Sequence, residues 1–438
     1  MSNKFQNLSF VTYCYIKKTN FLKSKITFKR RYKMKKLTLF MCLIILIPAF
    51  SVFGGKEEAV EEVKPALTGE IPIGVIHAAT IEVGPEAPAI EMAIEDINKW
   101  CEESGIRVKF VAWSENAEES ATKAVERAEV LIGRGVKVIV GSEWSSHCKA
   151  LLKLIGDRKV ILLSQSSSSP ELAVPGDYLF RLQPDDTKQA LFIRRLTLSL
   201  GIKAAIVVYA REAYAEGLWK ECAKLWKTEG IEIIESMGVD PEKKEFIGEF
   251  ATINAKYKEA LGKYKRDEIG IWLLHTYGPG IPMLTSMAKY PELMKATARV
   301  FDSDNGGAPG FIEYAGDICS QLKFAAYAFG ATVSPKWEEW RGRYVAKAGY
   351  EPYFTAFQIY DCIWITALSI LVAEKYDGPA LVKVLPKVAE SYFGVSGWCA
   401  LNEAGDRAYP NYNVWQVVKG KWEVVGFYDG ATDSIKWY

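Results

Sequence analysis

The sequence has few of the residues and motifs that mark catalytic, zinc or nucleotide sites. Its 438 residues include three histidines and eight cysteines, and the formal net charge is +2. There is no Cys-x-x-Cys pair, no GxxxxGK phosphate loop, no GxGxxG fingerprint and no GxSxG elbow around the serines considered below. A nearly neutral chain gives no global attraction to nucleic acid. These absences count against nucleotide-dependent enzymes, α/β-hydrolases, cysteine-based zinc modules and nucleic-acid binders.

The N-terminus carries a targeting pattern. A basic stretch ending in Met34-Lys35-Lys36 precedes an apolar run over residues 37–53. This order is typical of an export signal, and the run approaches the length of a membrane span. We therefore predict an exported protein at the periplasmic or extracellular face of the cytoplasmic membrane, either cleaved or tethered by its N-terminus. The predicted segments are a basic extension or mis-assigned start (1–33), a signal peptide or membrane anchor (34–55) and a linker (56–70). Six cysteines follow, and their pairing stays open.

Hydrophobic patterning predicts alternating strands and helices from about residue 71. Short apolar runs such as Val136–Val140 and Lys159–Leu163 are typical of buried parallel strands. Amphipathic stretches such as Glu86–Trp100 are typical of helices. The alternation begins again after Pro184, and short antiparallel strands are predicted near the C-terminus. The predicted fold class is α/β, with two doubly wound parallel-sheet lobes.

Two serine-rich turns follow neighbouring predicted strands. Gly141 ends the first strand, and Ser145 and Ser146 open the next helix, where serine is a favourable N-cap. The second turn runs over Ser164–Pro170. Because carboxyl ends of parallel strands share one edge and helix N-termini bind anions, the pair predicts a polar pocket for a small ligand. Two capped helices that bind nothing remain an alternative.

Several motifs, in order and spacing, resemble the leucine/isoleucine/valine-binding family of ABC transporter substrate-binding proteins, which has the type I periplasmic binding protein fold. They are IPIGVIHAAT, GSEWSSH, ILLSQSSSSPEL, YLFRLQP, YAEGL and GVSG. The resemblance covers about Ile71 to Phe427. It implies two lobes joined by three hinge crossings, near Leu182–Pro184, Phe324–Tyr327 and Phe393–Gly397. Lobe 1 then takes 71–183 and 326–394, and lobe 2 takes 184–325 and 395–438.

The resemblance also implies ligand-binding roles. In the family a serine of the first turn holds the ligand carboxylate, which matches Ser145. Residues of the second turn bind carboxylate and ammonium, which matches Ser166 and Ser168. A tyrosine of the second lobe matches Tyr214, although the glycine that often follows it is alanine here. The acidic residue for the ammonium matches Asp304, which is shorter than the glutamate of the branched-chain receptors.

Three further residues are expected to line the slot for the ligand's side chain. Trp144 lies where the branched-chain receptors carry a smaller residue, and His77 and Tyr277 also follow predicted strands. We expect them to make the slot more aromatic and polar than a branched-chain slot. Packing between loops is the alternative role for all three.

The predicted function is capture of a small amino-acid-like ligand by lobe closure and delivery to the membrane permease of an ABC transporter. No catalysis, cofactor, metal or nucleic-acid partner is expected. The alternatives are a sensing module for an amide, urea or small carboxylate, and a sensory ectodomain. A zinc site built from His77, His147, His275 and Asp304 is a further one. The last alternative is a hydrolase that uses Ser145, His147 and Asp304, although the sequence around Ser145 lacks the nucleophile elbow.

Overall fold

A computed structural model describes residues 67–276, 278–304 and 307–438. The predicted N-terminal extension, the export segment and most of the linker lie outside these residues, and so does Tyr277. Within the described part, the chain builds two sheets of the predicted α/β type, joined in succession.

The first lobe contains a five-stranded parallel sheet with helices between its strands. The elements are β1 (Gly69–His77), α1 (Thr80–Glu103), β2 (Val108–Asn116), α2 (Ala121–Gly133), β3 (Val138–Gly141), α3 (Ser145–Arg158), β4 (Ile161–Ser164) and β5 (Leu179–Arg181). The strand order is β2-β1-β3-β4-β5. The central strands β3 and β4 are fully buried, as expected for apolar runs covered by helices on both faces.

The second lobe begins as a parallel sheet of the same kind. The elements are α4 (Asp186–Ser199), β6 (Ala204–Ala210), α5 (Ala213–Thr228), β7 (Glu232–Val239), α6 (Ile247–Ala260), β8 (Ile269–Leu274), α7 (Gly280–Met287), β9 (Val300–Asp302), α8 (Pro309–Leu322) and β10 (Ala325–Phe329). Strands β6 to β10 are parallel to one another.

Three helices that follow β10 return to the first lobe. They are α9 (Pro335–Ala348), α10 (Phe354–Ala373) and α11 (Gly378–Glu390), and a short hairpin, β11 (Phe393–Gly394) and β12 (Gly397–Trp398), follows them. Helix α10 is the one described helix that is long and apolar enough to cross a membrane. Its side chains are mostly buried in the same core as those of β1, β3 and β4, so its apolarity is explained by packing in the first lobe.

The predicted C-terminal strands complete the second sheet. They are β13 (Asn411–Val418), β14 (Lys421–Asp429) and β15 (Ser434–Trp437). They add to β10 as an antiparallel extension, which gives an eight-stranded sheet in the order β15-β14-β13-β10-β9-β8-β6-β7.

The passage between lobes differs from the prediction at the second crossing. Residues Ala325–Phe329 pair with Phe301 of β9 and with β13, so the apolar run is a buried strand of the second sheet. The predicted lobe border at residue 326 therefore falls inside a strand, and the chain leaves this sheet after Phe329. At the first crossing β5 ends at Arg181 and α4 begins at Asp186. Motion about the three crossings remains a prediction.

Candidate functional site

The two serine turns are joined through one hydroxyl. Helix α3 begins at Ser145, but its N-cap is Trp144, whose side chain makes no capping bond. The predicted capping role of Ser145 is therefore wrong. Its Oγ instead reaches the neighbouring turn, where it accepts the backbone N–H groups of Ser168 at 3.2 Å and Ser169 at 3.1 Å. It also contacts Oγ of Ser167 at 3.1 Å. Neighbouring strands β3 and β4 bring these turns together.

Ser166 and Ser168 lie in the same edge of the first lobe. The half-buried Ser166 donates its hydroxyl to the carbonyl of Glu143 at 3.2 Å. Ser168 is buried, and its carbonyl accepts the N–H of Asp186, the first residue of α4, at 2.8 Å. The structure thus brings the three predicted serines together and places the start of the second lobe beside them.

Tyr214 and Asp304 are brought together in the second lobe. The buried Tyr214 is in the first turn of α5, and Asp304 follows β9 at the same edge of the sheet. The Tyr214 hydroxyl donates to Oε1 of Gln189 at 3.4 Å and accepts the N–H of Asp304 at 3.5 Å. Burial raises the pKa of Asp304 to about 6. The nearby Tyr214 hydroxyl partly offsets this rise, and the negative charge of Asp302 adds to it.

Asp186 is a site residue that sequence reasoning missed. It is fully buried, and neither of its carboxylate oxygens makes a hydrogen bond of acceptable geometry within the described part of the chain. Burial, and then the charge of Asp304, raises its pKa well above the usual range, and the nearby Ser168 hydroxyl only partly offsets this. The sequence offered Asp185-Asp186 at a helix start, which indicates a cap. Asp185 fills that role by accepting the N–H of Thr187 at 2.9 Å.

The serine turns of the first lobe touch the second lobe directly. Ser169 donates its hydroxyl to the carbonyl of Ala213 at 3.1 Å. The buried guanidinium of Arg181 supports this turn by donating to the carbonyl of Ser169 at 2.8 Å, and its Nε lies 2.6 Å from Oδ1 of Asp406. This cation is therefore paired with Asp406, while the buried Asp186 lies beside the Ser168 hydroxyl and the half-buried Asp304 lies close to Asp186.

The predicted side-chain slot is only partly described. Trp144 is half-buried and packs against His147, with ring centroids 5.1 Å apart and the ring planes tilted by 38°. His77 ends β1 and is buried, with Nδ1 at 2.7 Å from Oε2 of Glu86. Because Tyr277 lies outside the described residues, the slot stays a prediction.

The three histidines do not converge. His147 Nδ1 lies 3.0 Å from the Ser142 hydroxyl, and burial lowers the pKa of His147 to about 4. His275 Nε2 lies 2.6 Å from Oδ1 of Asp302 within the second lobe. Each ring thus has its own surroundings, so the structure does not build the alternative zinc site across the lobes. Ser145 pairs with the second turn rather than with His147, which removes the geometric basis for a hydrolase.

The fold and the site define a class of protein: a two-lobed small-molecule-binding protein with the type I periplasmic binding protein fold. The chain belongs to the family described as the receptor family ligand binding region, whose model matches residues 85–420. Members and structural relatives of this class are substrate-binding proteins rather than enzymes, in agreement with the predicted absence of catalysis.

Known proteins support this placement. An uncharacterised protein of Methanocaldococcus jannaschii is 27% identical over 367 residues, covering 79% of this chain and 86% of the relative. The leucine-, isoleucine-, valine-, threonine- and alanine-binding protein of Pseudomonas aeruginosa is 23% identical, covering 87% of this chain and 97% of the relative. The structure of a leucine-binding protein from Thermotoga maritima superposes with a TM-score of 0.69 at 18% identity, covering 83% of this chain and 99% of that one.

Proposed function

We propose that this chain is an extracytoplasmic solute-binding protein that holds a small amino acid between its lobes and passes it to an ABC permease. The observation that carries the proposal is the meeting of two unlike groups at one place. Hydroxyls and backbone N–H groups of the serine turns stand on one side, and the carboxylates of the buried Asp186 and the half-buried Asp304 stand on the other.

The serine side suits a carboxylate. Oγ of Ser145 already accepts two backbone N–H groups, so its own hydrogen remains to be donated. The neighbouring contact with the Ser167 hydroxyl can be exchanged for a ligand oxygen. Hydrogen bonds to an ionised acceptor are shorter and stronger than those between neutral groups. A ligand carboxylate would therefore replace a weak hydroxyl contact with charge-assisted bonds.

The acidic side suits an ammonium group. Buried charges are costly unless they are paired and hydrogen-bonded. The charge of Asp304 raises the cost of ionising Asp186, and Arg181, which is paired with Asp406, offsets that cost only in part. An ammonium carries three donors and a positive charge, so it would supply both missing elements to these carboxylates. A carboxylate on one side and an ammonium on the other are the two ends of an α-amino acid.

Export and delivery extend this proposal. The support is the basic and apolar N-terminal pattern and the kinship with proteins whose names describe amino-acid binding and ABC transport. Lobe closure over the ligand would create the shape that a permease recognises, and hinge closure is an established motion of this fold.

A neutral amide or a simple carboxylate is the second candidate ligand. It is favoured by the raised pKa of Asp186, because a protonated carboxyl could donate to a carbonyl group. This alternative keeps the serine side and removes the need for an ammonium.

A set of ligands with one end altered tests the proposal. The amino acid that gives the largest thermal shift in a screen is compared by calorimetry with its des-amino acid and its carboxamide. We expect the intact amino acid to bind best and both analogues to lose ~2–5 kcal/mol, since each leaves a buried charged or polar group without its partner. Equal binding of the des-amino acid would exclude the ammonium, and binding of amides alone would favour the second candidate.

A further inference from the structure

A second polar cluster lies in the first lobe, at the carboxyl ends of β1, β3 and β4. It consists of His77, Glu86, Glu143 and Gln165, with relative exposures of 3%, 0%, 4% and 0%. His77 ends β1, Glu86 belongs to α1, Glu143 precedes α3 and Gln165 follows β4. Four elements thus converge on one buried place, which we call the first-lobe cluster.

The contacts within the first-lobe cluster are short. Oε2 of Glu86 lies 2.7 Å from Nδ1 of His77. The amide nitrogen of Gln165 donates to Oε1 of Glu86 at 2.8 Å and to Oε1 of Glu143 at 2.9 Å. The N–H of Ala78 donates to Oε2 of Glu143 at 2.6 Å. The side chains are therefore held in place by their neighbours before any ligand arrives.

The spacing of the donor atoms suits one small ion. One ring nitrogen of His77 and one oxygen each of Glu86 and Glu143 all lie within 4.8 Å of one another. Ligand atoms stand about 2.0–2.2 Å from a bound zinc ion, so two ligands on opposite sides are separated by about 4.4 Å at most. Side-chain rotations that open the 2.7 Å contact between His77 and Glu86 would bring these three atoms into one coordination sphere.

A fourth donor is present in Gln165. Its Oε1 atom is buried and has no hydrogen-bond partner within the described residues, while its Nε2 lies between the two carboxylates. Half a turn of the amide exchanges the two atoms and places the oxygen among the other donors. An ion at this position would convert an unsatisfied acceptor into a ligand.

The charge of the first-lobe cluster also favours a cation. Glu86 and Glu143 are buried close together, and the charged side chains that act on Glu143 are Glu86 and His77. Two carboxylates in a low-dielectric interior repel each other, and a divalent ion would turn this repulsion into attraction. A surface pocket that includes His77, Thr80 and Asn116 offers a path for an ion.

We propose that His77, Glu86, Glu143 and Gln165 bind a divalent first-row metal ion of the Zn²⁺ or Mn²⁺ type. An imidazole with carboxylates suits these ions better than Ca²⁺ or Mg²⁺, which favour oxygen ligands throughout. The bound ion would fix the loop that carries Glu143, two residues before Ser145, and so hold the first serine turn in position. The metal site does not depend on the identity of the organic ligand.

Calorimetry of the untagged, chelator-treated protein with Zn²⁺, Mn²⁺ and Ca²⁺ tests the proposal, and native mass spectrometry gives the stoichiometry. We expect one Zn²⁺ or Mn²⁺ per chain and much weaker binding of Ca²⁺. Glu143→Gln and His77→Gln should each weaken Zn²⁺ binding by about 100-fold or more, since even outer-shell changes at metal sites cost about 10–100-fold. Glu115→Gln, near the end of the neighbouring strand β2 and with its carboxylate 3.7 Å from the Arg127 guanidinium, is the matched control and should bind Zn²⁺ normally.

Circular dichroism confirms that each variant is folded, and Gln165→Ala replaces any variant that is not. A rise of the melting temperature of the wild type with Zn²⁺, lost in the cluster variant, gives an independent readout. The proposal is overturned if the wild type binds no Zn²⁺ or Mn²⁺, or if the cluster variants bind as well as Glu115→Gln. It is equally overturned if the wild type binds free lysine or arginine but no metal ion, and Glu143→Gln abolishes that amino-acid binding. The amino-acid analogues described above separately decide the proposed function.

Discussion

The serine turns of the first lobe and the acidic groups of the second lobe satisfy their polar atoms in opposite ways. Ser145 makes contacts with the next turn through one oxygen, and its neighbours are bonded to backbone groups. Asp186 has two buried oxygens that make no hydrogen bond of acceptable geometry to the described residues, and burial raises the pKa of Asp304 to about 6. The groups of the serine side are neutral and are hydrogen-bonded to one another, whereas the groups of the acidic side are carboxylates whose burial is only partly offset by hydrogen bonds. This difference gives the proposed ligand its direction, with the carboxylate at the serines and the ammonium at the aspartates.

The largest expected effect is removal of a carboxylate on the acidic side. Asp304→Asn or Asp186→Asn should cost ~2–5 kcal/mol of amino-acid binding, because each deletes one partner of a buried charge pair. This corresponds to a loss of about 30-fold to several-thousand-fold in affinity, measured by calorimetry. The exposed Asp317 in α8 provides the control, and Asp317→Asn should bind as the wild type does. Unchanged affinity in both Asp186→Asn and Asp304→Asn would show that these carboxylates do not bind a ligand ammonium group.

A smaller effect is expected on the serine side. Ser145→Ala leaves the N–H groups of Ser168 and Ser169 without their acceptor, at a cost of ~1–3 kcal/mol in stability. It also removes a donor to the ligand carboxylate, so ligand affinity should fall as well. Urea unfolding and calorimetry measure the two losses, with Ser146→Ala as the neighbouring control. A stable variant with full affinity would show that this hydroxyl holds neither the turn nor the ligand.

The pH dependence of the acidic side sharpens the comparison. The pKa of Asp304 is raised from 3.8 to about 6, so its contribution to the stability of the unliganded protein is present at low pH and is lost as pH rises through about 6. Ligand binding has the opposite sign, because the ammonium needs the ionised carboxylate. Amino-acid affinity should therefore fall as pH drops through about 6, by at most about tenfold per pH unit for one proton.

The pH dependence of ligand affinity is set by several neighbouring groups and not by Asp304 alone. Asp186 and Asp302 add negative charge beside it, and the Tyr214 hydroxyl accepts its backbone N–H. Calorimetry between about pH 5 and about pH 7 measures the trend, and the exposed-site variant Asp317→Asn should follow the wild type. A flat affinity over this range would indicate that no carboxylate changes its protonation when the ligand binds.

The smallest effect is expected at Ser166. Its hydroxyl is half-buried and makes a single bond of 3.2 Å to the carbonyl of Glu143. Ser166→Ala should therefore make the free energy of ligand binding less favourable by only ~0.5–1.5 kcal/mol, the usual net value of a hydrogen bond. A loss in calorimetry that exceeds that of Ser145→Ala would reverse the order of the two serines and place Ser166 at the centre of the carboxylate site.

Local pattern predicted much of this fold. The apolar runs before Gly141 and Ser164 are buried parallel strands, because continuous apolar sequence requires cover on both faces. The run Ala325–Phe329 was predicted as an extended hinge segment, and it is a strand. Its pairing partners β9 and β13 could not be predicted, because that choice depends on residues far away in the chain. The sequence therefore predicted where strands occur, but not which sheet each strand joins.

The site was readable where a residue's role is local and less so where it depends on tertiary contacts. Tyr214 and Asp304, whose roles the family resemblance implied, meet because both follow strands of one sheet. Ser145 accepts N–H groups more than twenty positions away, which no local capping rule contains. Asp186 was missed because its burial and its nearness to Asp304 arise only from tertiary packing, while its neighbour Asp185 caps the helix.

A ligand-bound crystal structure tests the central claim most directly. It would be determined with the amino acid that gives the largest thermal shift in the screen. The account predicts the ligand carboxylate against Ser145 and Ser168, and its ammonium nitrogen within hydrogen-bond distance, about 2.7–3.2 Å, of Asp186 and Asp304. A ligand bound in the reverse direction, or at a place that touches neither the serine turns nor these aspartates, would contradict it.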